Sequence, residues 1–385
     1  MLRSDEAFVA LRAAPHGAWA LDVLAQHPGA WVVGGAVRDA LLGRLGVAGA
    51  EIDVVVEGDP EPVARALGEV VAWHERFNTY DVLTPDGGHV DVVMARAERY
   101  GAPGALPDVR PSGLEDDLLR RDFTVNAVAF SGAGELATAP AALEDLEAGR
   151  LRIMHAVSFR DDPTRLWRLV RYAIRLGFRP EPATDRLAFE AVQRGALETV
   201  SGDRLGAELR LALREPDALS ALHAAQNLGL VAGLTLDPHL VGDALALLPA
   251  GEGRADLTLL GAVIPDTAWV DGWGFTAAEA RVLTRCACAQ PLAPGARPSE
   301  AVAALRGEPV EAVAVAGARG DATQALQFLG EWRGVRLRID GNDLMAAGVP
   351  QGPDLGRRLE AVLARRLDGE LPDDRDAQLA AALEA

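Results

Sequence analysis

Gly34-Gly35-Ala36-Val37-Arg38-Asp39, followed by Glu51-Ile52-Asp53, is the stretch that decides the fold. Two glycines let backbone N–H groups come close to phosphate oxygens where a helix begins. Two carboxylates spaced i, i+2 at the head of an apolar strand project from one face and can share a divalent metal. A phosphate cradle beside a metal pair points to nucleotidyl transfer.

Working outward, residues 31–33, 52–56, 81–83 and 89–95 read as strands, and 37–42 and 61–67 as helices, which predicts an α+β unit with a mixed sheet over the first third. Residues 131–140 are Gly- and Ala-rich with weak periodicity and read as a hinge. Helical patterns dominate beyond it. Breaks fall at 249–253 and 291–298, and a helix over 355–367 is expected to precede a polar tail that frays. The resulting division is a head at 1–135, a neck at 136–200 and a helical body and tail at 201–385.

At 385 residues and 49% hydrophobic composition, the chain is globular and large enough for two or three domains. Its formal charge of -18 would ordinarily argue against a polyanion partner. The sum hides a cluster, however, since Arg150, Arg152, Arg160, Arg165, Arg168, Arg171, Arg175, Arg179 and Arg186 fall in one stretch, and every basic residue is Arg. Base composition of the genome accounts for the exclusive use of Arg more simply than function does. Cys286 and Cys288 are too close for an ordinary disulfide and lack partners for zinc, so they are expected to be buried thiols. With no apolar run near the ~20 residues that span a bilayer and no leader pattern, a reducing cytoplasm is the expected location.

Asp91, in the strand 89–93, can stand beside Glu51 and Asp53 as a third carboxylate if that strand pairs with 52–56; alone it would read as a solvated face. A second dense motif, 117–127, packs Asp117, Arg120, Arg121, Asp122 and Asn126 around small apolar residues. A guanidinium there can grip a triphosphate and a carboxylate can meet a ribose hydroxyl. The alternative is an internal ion-pair network. The third motif, Asp161-Asp162-Pro163-Thr164-Arg165, is a standard helix start, a capping Asp before Pro. Asp162 and Arg165 also lie one turn apart, an acceptor beside a donor fork. That pair complements the edge shared by cytosine and adenine, where uracil and guanine carry a carbonyl in place of the amine.

In their order, the glycine motif, Glu51-Ile52-Asp53, the loop 96–107, Arg120-Arg121-Asp122-Phe123-Thr124 and Asp161-Asp162-Pro163-Thr164-Arg165 resemble the motifs of class II CCA-adding tRNA nucleotidyltransferases and bacterial poly(A) polymerases, in the DNA polymerase beta superfamily. Further matches at Asp145-Leu146-Glu147, Arg175-Leu176-Gly177-Phe178 and Gly341-Asn342-Asp343-Leu344 extend the resemblance almost to the end. It implies a nucleotidyltransferase head, a helical neck that selects the base, and a body and tail that hold the acceptor arm of tRNA. Glu51, Asp53 and Asp91 would be catalytic, with Glu51 and Asp53 binding Mg2+. Gly34, Gly35, Arg38, Arg121 and Asp122 would meet the nucleotide's phosphates and sugar, Asp162 and Arg165 its base, and Arg168 and Arg171 the nucleotide again. Glu51 departs from the commoner Asp, and Asp161 from the commoner Glu.

Family members divide the labour between C and A addition. Cytidine-only enzymes resemble versions with the loop after the third carboxylate deleted, whereas Arg96, Glu98, Tyr100, Pro103, Leu106, Pro107 and Val109 form a full-length loop. Terminal A addition from ATP is therefore expected, with CTP also used. An A-only enzyme, a poly(A) polymerase and a noncatalytic RNA- or nucleotide-binding module are the alternatives.

Overall fold

The computed structural model describes residues 1–45 and 51–385, which form two compact units, Met1–Leu230 and Val231–Ala385. The first holds eleven described strands, β1 (Ala30–Val33), β2 (Ile52–Val56), β3 (Glu69–His74), β4 (Thr79–Leu83), β5 (His89–Met94), β6 (Arg96–Arg99), β7 (Asp108–Pro111), β8 (Val128–Ser131), β9 (Leu136–Thr138) and the short parallel pair β10 (Arg150–Leu151) and β11 (Arg179–Pro180). Seven of them make one sheet in the order β3-β4-β5-β2-β1-β8-β9, while β6 and β7 pair as a separate hairpin. Only β2 and β5 run parallel within the large sheet, so the expected mixed sheet is observed.

Helices α1 (Ser4–Ala13), α2 (Gly17–Leu24), α3 (Gly35–Leu41) and α4 (Glu61–Leu67) pack against one face, the side of Val32 and Phe130, where Phe8 meets Phe130 edge-on at 5.5 Å. Alternate residues turn the other way. Val33, Val55 and Ala129 close a second small core with Leu114 and Leu118 of α5 (Leu114–Leu119). Asp53 belongs to this second face, because side chains two apart on a strand share a side.

After the sheet come α6 (Ala142–Ala148), α7 (Ser158–Asp161), α8 (Thr164–Leu176), α9 (Pro182–Gln193), α10 (Gly202–Ala212) and α11 (Ala218–Leu228). The start of α8 is as the sequence dictates: Asp162 Oδ1 accepts from the Thr164 backbone N–H, and Pro163 supplies a fixed φ at the first turn. Gly177 ends the helix at φ 67, a conformation that favours glycine. The second unit is helical throughout its described elements, from α12 (Pro238–Ala246), α13 (Ala255–Val263), α14 (Ala277–Ala287), α15 (Pro298–Leu305), α16 (Val310–Arg319) and α17 (Ala322–Gly330) to α18 (Gly341–Ala346), α19 (Pro353–Leu367) and α20 (Arg375–Glu384). Breaks at 249–253 and 291–298 fall between helices, as expected.

Several expectations are corrected. Residues 131–140 are no hinge: β8 and β9 pair there as a hairpin on the edge of the sheet, held by main-chain bonds that composition does not advertise. The loop 96–107 opens as strand β6, and β7 follows it. Strand β3 escapes periodicity because Val70 and Ala72 are half-buried while Val71 and Trp73 on the opposite side are exposed, so both sides are apolar. The tail after 367 does not fray but forms α20, whose Gln378, Ala381 and Ala382 are buried with Leu344 and Val362. Cys286 is buried and its thiol pushed up to about 12 by burial, but Cys288 is exposed; both are free thiols.

Candidate active site

Strand register brings the carboxylates together. Val33, Asp53, Asp91 and Asp81 lie opposite one another in a single row across β1, β2, β5 and β4, and neighbouring strands are about 4.8 Å apart. Gly34 follows Val33 directly, so the glycine turn and Asp53 are neighbours across the β1–β2 pair. Gly34 adopts φ 73, ψ -127, and a Cβ there would come 3.0 Å from Arg121 Nη1. A side chain at this position would be strained and would displace the arginine.

A cavity of about 840 Å3 opens over this corner. Gly34, Gly35, Arg38, Glu51, Asp53, Arg121, Asp122, Asp162, Arg165, Arg168 and Arg171 all line it, so the cavity gathers every one of the sequence candidates except Asp91. Asp91 stands one strand further out on the same row and is more exposed. Among the described residues nine arginines and six carboxylates line the space, a local concentration of guanidinium groups in a chain of formal charge -18.

Many of those arginines are already engaged. Arg38, buried, donates from Nη1 to Asn126 Oδ1 at 2.7 Å and from Nε and Nη2 to Asp39, and its guanidinium lies over the Tyr172 ring, 5.5 Å from the centroid. Asn126 Nδ2 donates in turn to Asp122 Oδ1 at 3.0 Å, and Asp122 Oδ2 pairs with Arg168 Nη1 at 3.2 Å. Burial alone would raise Asp122, yet the Arg168 charge and the Asn126 amide outweigh it and hold its carboxyl below the usual range. Asp122 is thus an ionised link in a relay from α3 to α8. Arg171 gives Nε to Glu215 and Nη1 to Glu208, both at 3.0 Å, and Arg175 forks onto Glu215. Among the arginines of α8, Arg165 and Arg171 are buried.

The second motif is largely an ion-pair network. Asp117, fully buried, accepts from Arg120 Nε and Nη2 and from Arg121 Nη2, while Arg120 Nη1 also donates to Glu98 Oε1. Glu98 is shared with Arg96 and the Tyr100 hydroxyl, which ties the β6–β7 hairpin to α5. Arg121 is the exception. Its Nε is buried and has no hydrogen-bond partner, and its Nη1 stands beside Gly34, where it can donate to a ligand oxygen on the glycine turn.

Asp162 Oδ1 accepts from the Thr164 N–H and hydroxyl and from Arg204 Nη2 at 2.9 Å. Arg165 donates from Nη1 to Ser158 Oγ and from Nη2 to the Arg120 carbonyl. Both side chains are therefore fixed where they face the cavity. Sequence reading missed Arg204, Tyr172 and the Glu208–Glu215 pair, and gave Glu98 no role beyond its place in the loop. Arg204, Glu208 and Glu215 find their partners 37 to 44 residues away, Glu98 reaches Arg120 across 22 residues, and the Tyr172 ring lies under Arg38 of α3; no local pattern announces such contacts.

The Glu51–Asp53 pair suits a hard divalent cation. Burial pushes the Asp53 carboxyl up to about 6; Arg121 and Arg168 oppose the push, while Asp91 and Glu51 add to it. Like charges crowded at a partly desolvated position favour a bound cation over protons near neutral pH. Among the described residues no group of three or more His, Cys, Asp or Glu is arranged around one metal position. Two carboxylates completed by water and nucleotide phosphate are, however, a usual donor set for Mg2+.

Residues 30–152 match the family model described as the poly A polymerase head domain. An A-adding tRNA nucleotidyltransferase of Geobacter sulfurreducens is 33% identical over 88% of the chain, which spans only 43% of that protein's length. The CC-adding tRNA nucleotidyltransferase of Deinococcus radiodurans is 34% identical over 88% of the chain, and 84% of that protein is covered. A solved CCA-adding enzyme in complex with ATP superposes with a TM-score of 0.77 at 25% identity, over 100% of this chain and 98% of that one. With the head domain matched and a relative covered over most of its length, the chain belongs to the class II CCA-adding tRNA nucleotidyltransferase family.

Proposed function

We propose that this protein adds nucleotides of the 3′-terminal CCA to tRNA without a nucleic-acid template, incorporating the terminal A from ATP and also using CTP. The observation that carries the reading is the single cavity in which the Gly34–Gly35 turn, the Glu51–Asp53 pair, the Arg121 guanidinium and the Asp162–Arg165 pair converge. The 3′-hydroxyl oxygen of the tRNA attacks the α-phosphorus and gives up its proton to water, the bond from that phosphorus to the bridging oxygen breaks, and pyrophosphate leaves. Glu51 and Asp53 would hold Mg2+, which when bound neutralises charge developing on the phosphates. Asp91 adds a third carboxylate to their row. Arg121 and the glycine turn take the triphosphate; Arg38, Asp122 and Arg168 form the relay that fixes the sugar side; Arg171 braces the neck wall.

Base choice falls to Asp162 and Arg165. Asp162 Oδ1 is consumed within the protein, which leaves Oδ2 to accept from the amine of cytosine or adenine, with remaining Arg165 N–H groups for the neighbouring ring nitrogen. In this reading residues 1–135 are the catalytic head, 136–200 the neck and 201–385 the tRNA-holding body and tail, and the reaction takes place in the cytoplasm. No described helix is long and apolar enough to cross a membrane.

The names of the relatives favour two narrower readings, A addition alone and CC addition alone. Purified protein offered tRNA ending at the discriminator base, at C or at CC, with labelled CTP or ATP, decides among them. Extension of the CC primer by ATP and of the shorter primers by CTP is expected. Extension of no primer by either nucleotide would overturn the proposal.

A further inference from the structure

We propose that Arg204 is a specificity-positioning residue: its guanidinium latches the tip of the β6–β7 hairpin to Asp162 and so sets the orientation in which that carboxylate meets the incoming base. The inference rests on the nucleotidyltransferase reading above and adds to it a residue outside all the sequence motifs.

Arg204 lies in the first turn of α10 and sends two donors in different directions. Nη1 donates to the Gly104 carbonyl at 2.6 Å and Nη2 to Asp162 Oδ1 at 2.9 Å. The planar fork can bridge both acceptors, whereas a lysine ammonium on a flexible stem has no such fixed geometry. The oxygen Arg204 takes is the one Thr164 also holds, so the carboxylate is pinned through Oδ1 with Oδ2 left for a ligand.

The hairpin tip is seated by main chain on its other side as well. Gly104 N–H lies 3.2 Å from the Arg160 carbonyl and 3.3 Å from that of Asp161, the two residues before Asp162. Gly104 has φ 70, and a Cβ there would fall 2.2 Å from Thr199 Oγ1 and 2.6 Å from the Thr199 carbonyl oxygen. Only glycine lets the tip come this close. The hairpin base is fixed separately, through Glu98 to Arg96 and Arg120, and Leu106 and Pro107 between tip and strand line the cavity. The tip therefore meets the Asp162 carboxylate through one side chain, that of Arg204, and the backbone before it through the Gly104 N–H.

The test compares kcat/KM for ATP, CTP, UTP and GTP on tRNA ending in CC for the wild type, Arg204→Ala, Arg204→Lys and Gly104→Ala. Gly104→Ala lifts the tip without altering Arg204 or Asp162. Arg204→Ala is expected to lower the preference for ATP over UTP and GTP by about tenfold, the scale of one charged positioning contact. Gly104→Ala is expected to do the same, the double variant to be no worse than either single one, and Arg204→Lys not to restore selectivity. Thermal melting separates this from loss of fold; if Arg204→Ala does not fold, Gly104→Ala and Arg204→Lys decide the matter. Unchanged selectivity in folded variants, or losses that add in the double variant, would overturn the latch while leaving wild-type activity intact. Failure of the wild type on every primer would instead overturn the nucleotidyltransferase reading.

Discussion

Asp117→Asn tests how the head holds Arg121 in position. The Asp117 side chain is fully buried and accepts three hydrogen bonds from two guanidiniums, at 2.9 and 2.6 Å from Arg120 and 2.9 Å from Arg121. An isosteric amide keeps one acceptor for the Arg120 fork but turns an NH2 toward Arg121 Nη2, donor against donor. Breaking a fully buried ion pair costs about 3–5 kcal/mol; here Arg120 and Arg121 keep 18% and 16% of their side-chain surface in water, which lowers the expected loss to about 2–4 kcal/mol. For a unit of this size that is a fall in melting temperature of about 5–12 °C. Burial works to raise the Asp117 pKa, but the two arginines more than offset it and the carboxyl sits below its ordinary value of 3.8. A folded-state pKa depressed in this way gives stability that is present above 3.8 and lost as pH falls through the folded value. Urea denaturation of wild type and variant should show a constant gap from pH 8 to 5 that narrows only below about pH 4. A gap under about 1 kcal/mol at pH 7.5, or one that closes between pH 7 and 5, would refute the argument. In the same variant the KM for ATP should rise more than kcat falls, because Arg121 loses the anchor that aims it.

Three further outcomes can be checked. Asp53→Ala should abolish incorporation of ATP into tRNA ending in CC while leaving tRNA binding, read by filter retention, within about twofold. Added Mg2+ should raise the melting temperature of the wild type and not of that variant. Asp162→Ala should relax discrimination against UTP and GTP by about tenfold or more in kcat/KM, and a variant that stays as selective would place base reading elsewhere. Glu215→Gln removes the charge that Arg171 and Arg175 share; with Arg171 buried and Arg175 about half exposed, urea denaturation should record a loss of about 2–3 kcal/mol, and no measurable loss would count against the brace.

The head and the start of α8 were legible because they obey local rules. Strands β1, β2 and β5 are Val-rich runs, Pro163 follows a capping Asp, and residues 61–67 are helical just where the pattern places them. The candidate residues were also legible, since glycines, paired acids and a guanidinium beside a carboxylate are rare in such an order. What the sequence could not convey was occupancy. Arg38, Arg165 and Arg171 carry the same charge on paper as Arg121, yet the first three spend theirs on Asn126, Ser158, Glu208 and Glu215, while Arg121 retains a free Nε. Such distinctions depend on contacts between residues tens of positions apart. For the same reason α20 was read as a loose end: its apolar side is made of alanines, weak in any hydropathy pattern, and only packing against Val362 and Leu344 reveals it.

The arginine-lined cavity in an acidic chain carries a kinetic consequence. At distances beyond a Debye length, about 8 Å at physiological salt, an approaching polyanion meets chiefly the net negative charge and is repelled; only within that distance can its phosphates meet the N–H groups of the cavity arginines. Association with tRNA should therefore quicken as ionic strength rises from very low values, reach a maximum, and slow once the short-range attraction is screened in turn. A uniformly basic RNA-binding protein would slow from the outset, so the shape of the salt profile reports how sharply this molecule confines its positive charge.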